Sequence, residues 1–127
     1  MGLFSGTPKG TGSAELKKLH EEFKLLLIDG EIIEVGFAVN RDTFLFTNRR
    51  LILVNVQGLS GRKVEYLTIP YKNITKFSIE TGGGFDLDAE LMLWIGGETI
   101  PIEKKFNKDV SIYDLQKVLA HHVLNAS

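Results

Sequence analysis

The spacing of apolar residues changes at Glu31, and this change constrains the fold more than any other feature of the sequence. Before it, Leu16, Leu19 and Phe23 recur at helical spacing and predict a helix over residues 14–28. After it, apolar residues alternate with polar ones, which is typical of strands with one buried face. The chain is therefore expected to begin with a helix and continue as β structure.

Seven strands with short turns between them are predicted after the change. They cover residues 31–39, 43–47, 51–56, 62–69, 74–81, 85–95 and 98–104. Pro101 lies in the last of these strands and has no N–H to donate, which places that strand at a sheet edge. Its neighbours Ile100 and Ile102 are predicted to face the core.

Helical spacing returns after the last strand, where Leu115 and Leu119 belong to one apolar stripe. Ser111 is predicted to cap this closing helix, with Asp114 three residues on as a variant of the capping box. Residues 1–12, which are rich in Gly, Ser, Thr and Lys, are predicted to be a flexible arm. Residues 13–127 are predicted to form one domain.

Composition limits the classes of partner. The 127 residues include no cysteine and carry 15 basic against 16 acidic side chains, a net charge of −1. Disulfides are thereby excluded, and a bulk attraction to nucleic acid or anionic lipid is not expected. The longest purely apolar run, Leu25 to Ile28, is far shorter than the roughly 20 residues that a membrane span needs. We expect a cytoplasmic protein that binds no nucleic acid and makes no membrane contact.

Two segments resemble the bacterial pleckstrin-homology (PH) domain family. They are FLFTNRRLIL at residues 44–53 and IPYKNI at residues 69–74. Both lie where the strand pattern places turns, and the resemblance extends over about residues 14–125. It implies a mainly β fold: a PH-like seven-stranded antiparallel sandwich or barrel, capped by a C-terminal α-helix, with an additional N-terminal helix. Members of that family are single-domain, cytoplasmic and not recognised as enzymes, and some form ring-like homo-oligomers.

Three basic side chains are candidates for a weak anion site. In an up-and-down meander the loops after the first and third strands lie at the same end, which brings Arg41 near Arg62 and Lys63. Together they could hold a phosphate, a lipid headgroup or an acidic peptide group. The alternative is scattered solvated charge, which the near-neutral balance favours. The Arg49-Arg50 turn is predicted at the opposite end of the sandwich.

Five apolar side chains are candidates for an interface: Leu16, Leu19, Phe23, Met92 and Trp94. The stripe of the first helix must be buried against its own sheet or against a neighbouring molecule. Met92 and Trp94 share the outer face of the sixth strand with acidic residues. They are either covered by a partner, locally exposed, or in contact with the first helix.

Patterns for catalysis, cofactor binding or metal binding are not found. The run from His20 to Lys24 begins like a zinc-binding helix, but a lysine stands where the second ligand is needed. Glycines 82–84 precede neither a helix nor the Lys-Ser/Thr pair of a phosphate-binding loop. His121 and His122 point about 100° apart on a helix, and we assign them to a capping role or to the helix dipole.

The sequence thus predicts a non-enzymatic domain without cofactor or metal that acts through homo-oligomerisation and protein contact. Its partners would be copies of itself, in a ring, or another protein. The alternative is weak binding of an anionic ligand or lipid headgroup at the end of the barrel that carries Arg41, Arg62 and Lys63.

Overall fold

The computed structural model describes residues 3–4, 13–39, 42–59, 63–82, 89–106 and 111–126. Its strands are β1 (Leu3–Phe4), β2 (Ile33–Val39), β3 (Asp42–Thr47), β4 (Arg50–Gln57), β5 (Lys63–Pro70), β6 (Ile74–Thr81), β7 (Ala89–Ile95) and β8 (Ile102–Phe106). Its helices are α1 (Ser13–Phe23), a 3-10 helix (Tyr71–Asn73) and α2 (Ile112–Asn125).

The strands form two sheets, as the family resemblance implies. One has the order β1-β2-β3-β4-β5 and the other the order β6-β7-β8. All neighbours are antiparallel except β1, which pairs in parallel with β2. The 3-10 helix connects the two sheets, and Pro70 precedes it. Since proline cannot donate to a ladder, the chain leaves the first sheet at this residue.

The main core lies between the two sheets and α2. Phe37, Phe44 and Phe46 of the first sheet, Phe106 of the second and Leu115 of α2 are completely or almost completely buried there. Strand alternation supplies the sheet residues, and the helical stripe supplies Leu115 and its neighbours. The predicted mainly β, PH-like sandwich with a closing C-terminal helix and an extra N-terminal helix is confirmed.

A second apolar cluster lies on the outer face of the first sheet. Leu19 and Phe23 of α1 pack there against Leu45 and Ile52 of the sheet, and all four are buried. The first sheet is thus covered on both faces, since its inner residues belong to the main core. This explains why β3 reads as an almost continuous apolar run rather than a clean alternation.

The first helix is shorter than predicted. It ends at Phe23, after which the N–H of Leu26 donates to the oxygen of Phe23 at 2.9 Å in a tight turn. Arg50 donates to the carbonyl oxygen of Leu26 at 2.6 Å, taking the acceptor that a further helical turn would use. Leu25 is 96% exposed, whereas Leu26 and Leu27 are half-buried and pack against the second apolar cluster although they are no longer helical. The prediction of helix up to residue 28 is therefore wrong.

The prediction for the last strand is wrong at its start. The chain turns through Gly96 and the following residues, and β8 begins only at Ile102. Ile100 is 79% exposed and not directed into the core. Pro101 directly precedes the strand, where its missing N–H costs no ladder bond, and β8 does lie at a sheet edge as expected. Of the predicted sixth strand, residues 85–88 lie outside the described part of the chain.

Two further local predictions differ from the structure. Leu3–Phe4, within the expected flexible arm, pair with Gly36 and Phe37 of β2. Ser111 occupies the N-cap position of α2 but makes no side-chain hydrogen bond to the backbone there. Its hydroxyl donates instead to the carboxylate of Asp114. None of the helices described here is long and apolar enough to cross a membrane.

Candidate functional site

A buried ion pair organises one end of the sandwich, at the turn between β3 and β4. Arg50 donates to both carboxylate oxygens of Glu31, from Nε to Oε2 at 2.8 Å and from Nη2 to Oε1 at 2.9 Å. The hydroxyl of Thr47 donates to Oε2 at 2.6 Å, and the N–H of Ile28 donates to Oε1 at 3.1 Å. Burial would raise the pKa of Glu31, but these hydrogen bonds and the charge of Arg50 outweigh it and lower the pKa to about 2.

The backbone of this turn is held by two polar side chains. The Thr47 hydroxyl oxygen accepts from the N–H groups of Arg49 at 3.0 Å and Arg50 at 2.9 Å. The Asn48 amide accepts from the N–H of Ile32 at 2.8 Å and donates to the carbonyl oxygen of Gly30 at 3.1 Å. Side-chain bonds of this kind are the reason that Thr and Asn suit tight turns. They set the position of Arg49 at the tip.

A cavity of about 330 Å³ lies beside this turn. The β3–β4 turn, the 3-10 helix and the last turn of α2 surround it. Its lining includes four nitrogen-bearing basic side chains, namely Arg49, Lys72, His121 and His122, and none of the described residues that line it has a carboxylate side chain. Arg49, Lys72 and His121 are exposed. Arg49 and Lys72 are permanently charged, and neither has an ion-pair partner among the described residues.

Two stacked rings form one wall of the cavity. The rings of Tyr71 and His122 lie 4.3 Å apart and within 6° of parallel. The Tyr71 hydroxyl donates to the carbonyl oxygen of Thr47 at 2.7 Å. Burial, assisted by the charge of Glu34, raises the pKa of the Tyr71 hydroxyl, which therefore stays protonated as a donor. The hydrogen bond from Tyr71 therefore connects this wall to the β3–β4 turn, which carries Arg49.

His122 lines this cavity and also a second one. Its Nε2 lies 2.9 Å from Oε1 of Glu34, and both residues line a cavity of about 250 Å³. Burial lowers the pKa of His122 and the nearby charge of His121 adds to this, although Glu34 opposes both. The ring is consequently neutral at pH 7. The role predicted for His122 at the helix dipole is replaced by this packing and pairing.

His121 is exposed and lies next to the end of α2. The Asn125 amide donates to the carbonyl oxygen of His121 at 2.6 Å and lies 3.5 Å from its Nδ1. Two carbonyl oxygens near the end of the helix thus have donors, since the N–H of Ala126 also donates to Val123 at 3.3 Å. Such partners are required because the last four carbonyls of a helix lack helical donors.

The residues of the predicted anion site are placed only in part. Arg41 and Arg62 lie outside the described residues, and Lys63 is exposed at the start of β5. Asp42, next to Arg41 in sequence, pairs with Lys104 at 2.9 Å between Oδ2 and Nζ. The anion site at that end of the barrel stays a prediction.

The interface candidates separate into two groups. Leu19 and Phe23 are buried on the chain's own sheet, and Leu16 beside them is half-buried. Met92 and Trp94 are half-buried on the face of β7 opposite to the core residues Leu91 and Leu93. Trp94 carries Lys76 above its ring, with Nζ 4.6 Å from the centroid.

Strand β5 presents a sheet edge that the sequence pattern did not single out. It pairs with β4 on one side, and no described strand pairs with its other side. Val64, Tyr66 and Leu67 are 37%, 49% and 36% exposed along it. By contrast, the edge of β2 is partly covered by β1. An open edge with apolar side chains is a template for pairing with another chain.

The cavity was also missed, because its parts are far apart in sequence. Arg49 comes from the FLFTNRRLIL segment and Lys72 from the IPYKNI segment, while His121 comes from the closing helix. A signal was available, since the two segments that carry the family resemblance are also those that line the cavity. In the described residues no three His, Asp or Glu side chains are grouped so that they could hold a metal ion.

Comparisons with known proteins agree with the fold. A family model described as "Bacterial PH domain" matches residues 2–123. The uncharacterized protein YjqA of Bacillus subtilis is 47% identical over 121 residues, which are 94% of this chain and 97% of YjqA.

Two crystal structures are also similar to this chain. A pleckstrin homology domain from Shewanella amazonensis is 43% identical with a TM-score of 0.80 over 87% of this chain and 99% of that one. A DUF1696 family protein with a pleckstrin-homology domain from Shewanella loihica is 44% identical with a TM-score of 0.77 over 85% of this chain and 92% of that one.

Proposed function

This chain belongs to the bacterial PH domain family, and we propose that it is a non-enzymatic member that works by assembling with copies of itself in a ring and by contacting another protein. Family membership supports the non-enzymatic part. The assembly part rests on one observation, the open edge of β5.

The edge of β5 is suited to pairing because it is long and carries apolar side chains. Over the eight residues Lys63–Pro70, the backbone donors and acceptors that face away from β4 have no strand beside them in the described part of the chain. Tyr66 and Leu67 point to opposite faces of the sheet, so a second molecule would cover apolar surface on both. A ring follows when the edge contacts a different surface of the next copy and the rotation between successive copies closes.

The first helix does not supply this contact. Leu19 and Phe23 are already buried on the sheet of the same chain. If they packed against a neighbouring molecule instead, the second apolar cluster of their own chain would be exposed to solvent. Edge pairing therefore accounts for assembly without any change in the fold of the single chain.

Light scattering coupled to size-exclusion chromatography tests the proposal. At tens of micromolar we expect a mass that is a multiple of the 14.2 kDa chain. Tyr66→Lys places a charge on the edge and is expected to shift the mass toward the monomer. Tyr113→Lys is the matched control, because Tyr113 is 69% exposed on α2, away from the edge. A strictly monomeric native protein would overturn the assembly, and equal masses for both variants would overturn the role of β5.

A further inference from the structure

We propose that the cavity between the β3–β4 turn, the 3-10 helix and the end of α2 binds a phosphate monoester group, carried by a small molecule or by a headgroup. The site is distinct from the predicted cluster of Arg41, Arg62 and Lys63. It combines the guanidinium of Arg49 and the ammonium of Lys72 with two imidazoles in one concave lining.

The charges of this lining suit an anion. Arg49 and Lys72 have no carboxylate partner within the described residues. Of the nearby acids, Glu31 is neutralised by Arg50 at 2.8 Å, and Glu34 lies 2.9 Å from Nε2 of His122 and lines the neighbouring cavity. The whole chain has a net charge of −1, so this excess of positive charge is local.

The end of α2 opposes the anion only weakly. A helix C-terminus carries a partial negative charge of about one half, against two full positive charges in the lining. The amide of Asn125 and the N–H of Ala126 donate to the carbonyl oxygens of His121 and Val123, respectively. Those oxygens are therefore partly neutralised before a ligand enters.

The charge of the lining favours a phosphate monoester over a carboxylate, because two permanent positive charges match the monoester's charge of about −1.5 to −2 at pH 7. Arginine offers a planar fork that matches two oxygens, and lysine adds a point charge. Imidazole nitrogens can donate to or accept from a monoester, whose second pKa is near 6. The cavity volume of about 330 Å³ leaves room for a small organic group beside the phosphate, and the stacked rings of Tyr71 and His122 give that group a flat surface.

The site is also held in shape before binding. The N–H of Arg49 is fixed by the Thr47 hydroxyl at 3.0 Å, and Tyr71 is fixed to the carbonyl of Thr47 at 2.7 Å. A preformed site loses less conformational freedom on binding. Arg49 and Lys72 are exposed, so their replacement is expected to leave the fold intact.

The first experiment is a titration of isotope-labelled protein with inorganic phosphate, followed by nuclear magnetic resonance at constant ionic strength. We expect saturable shifts at Arg49, Lys72 and His121. The double variant Arg49→Ala/Lys72→Ala is expected to bind at least about tenfold more weakly. Lys17→Ala/Lys18→Ala is the matched control, because it removes two exposed cations from α1 and is expected to bind like the native protein.

A second experiment distinguishes a lipid headgroup from a soluble small molecule as the source of the phosphate group. Vesicles of phosphatidic acid in phosphatidylcholine carry a monoester, whereas vesicles of phosphatidylcholine alone do not. Binding to the former that is lost with Arg49→Ala/Lys72→Ala identifies a headgroup, and phosphate binding without vesicle binding identifies a soluble ligand. Either result supports the site.

The site is overturned by either of two results. One is the absence of saturable shifts with phosphate, and the other is equal affinity of the cavity variant and the Lys17/Lys18 control. If the alanine variant does not fold, Arg49→Gln/Lys72→Gln removes both charges but keeps a polar side chain at each position, and makes the same comparison. The spectrum of each variant reports its fold in the same sample.

Discussion

Arg49 and Arg50 are adjacent in the sequence but have opposite environments. Arg50 makes hydrogen bonds to Glu31, to the Thr68 hydroxyl at 2.7 Å and to the Leu26 carbonyl at 2.6 Å. Arg49 lines an open cavity without a carboxylate partner in the described residues. The first arginine of the pair is thus free for a ligand, and the second is part of the fold.

The difference arises from where each side chain points at the turn. Arg50 begins β4 and is directed toward the loop after α1, where Glu31 is buried. A buried carboxylate without a partner would be strongly unfavourable, so this pair is needed once Glu31 is inside. Residue type alone therefore does not distinguish a structural arginine from a binding one.

Replacing each arginine by alanine is expected to give the largest difference in the free energy of unfolding between two variants. Arg50→Ala leaves the buried Glu31 carboxylate without its charged partner and is expected to reduce the free energy of unfolding by roughly 3–5 kcal/mol. Arg49→Ala is expected to change it by no more than about 0.5 kcal/mol. Urea denaturation of both variants measures the two values. Similar losses would contradict the assignment of separate roles.

Low pH is expected to remove part of the stability that the Glu31–Arg50 pair contributes. The pKa of Glu31 is about 2 in the folded chain against an ordinary 4.5, so the unfolded chain takes up a proton first as the pH falls. Stability from this group is complete above about pH 5 and is lost toward pH 2, by about 3 kcal/mol.

Denaturation at a series of pH values measures this loss. Glu31→Gln is expected to flatten the profile between pH 5 and pH 2, because it removes the group whose pKa differs between the two states. Arg49→Ala is expected to retain the slope of the native protein. A native slope in Glu31→Gln would show that other carboxylates cause the acid sensitivity.

Tyr71→Phe is expected to have a smaller effect. It removes the hydroxyl that donates to the Thr47 carbonyl at 2.7 Å but keeps the ring that stacks on His122. The expected loss of unfolding free energy is about 1–2 kcal/mol, because the carbonyl is left without its donor. Tyr113→Phe changes an exposed side chain in the same way, and thermal unfolding of the two variants is expected to separate them.

Much of the fold could be predicted because it depends on local spacing. Alternation identified β2 to β8 but not the short β1, and helical spacing identified α1 and α2, since each pattern reflects one buried face. Predictions failed at ends such as Phe23 and Ile100, where tertiary contacts decide whether an element continues. Arg50 at the Leu26 carbonyl is one such contact.

The candidate surfaces were less predictable for the same reason. Tyr66 lies in a strand whose pattern does not reveal whether its outer edge is paired. The cavity joins Arg49, Lys72 and His121 from three parts of the chain, and sequence spacing carries no information on such distances.

The sequence by itself determined the mainly β sandwich with a helix at each end, and its two characteristic segments identified the family. Both depend on local patterns that need no knowledge of distant residues. Only the tertiary structure decided which arginine is buried against Glu31, which edge is open and which basic side chains share a cavity. These outcomes depend on how the sheets and α2 pack together, and that packing brings together residues that the chain keeps far apart.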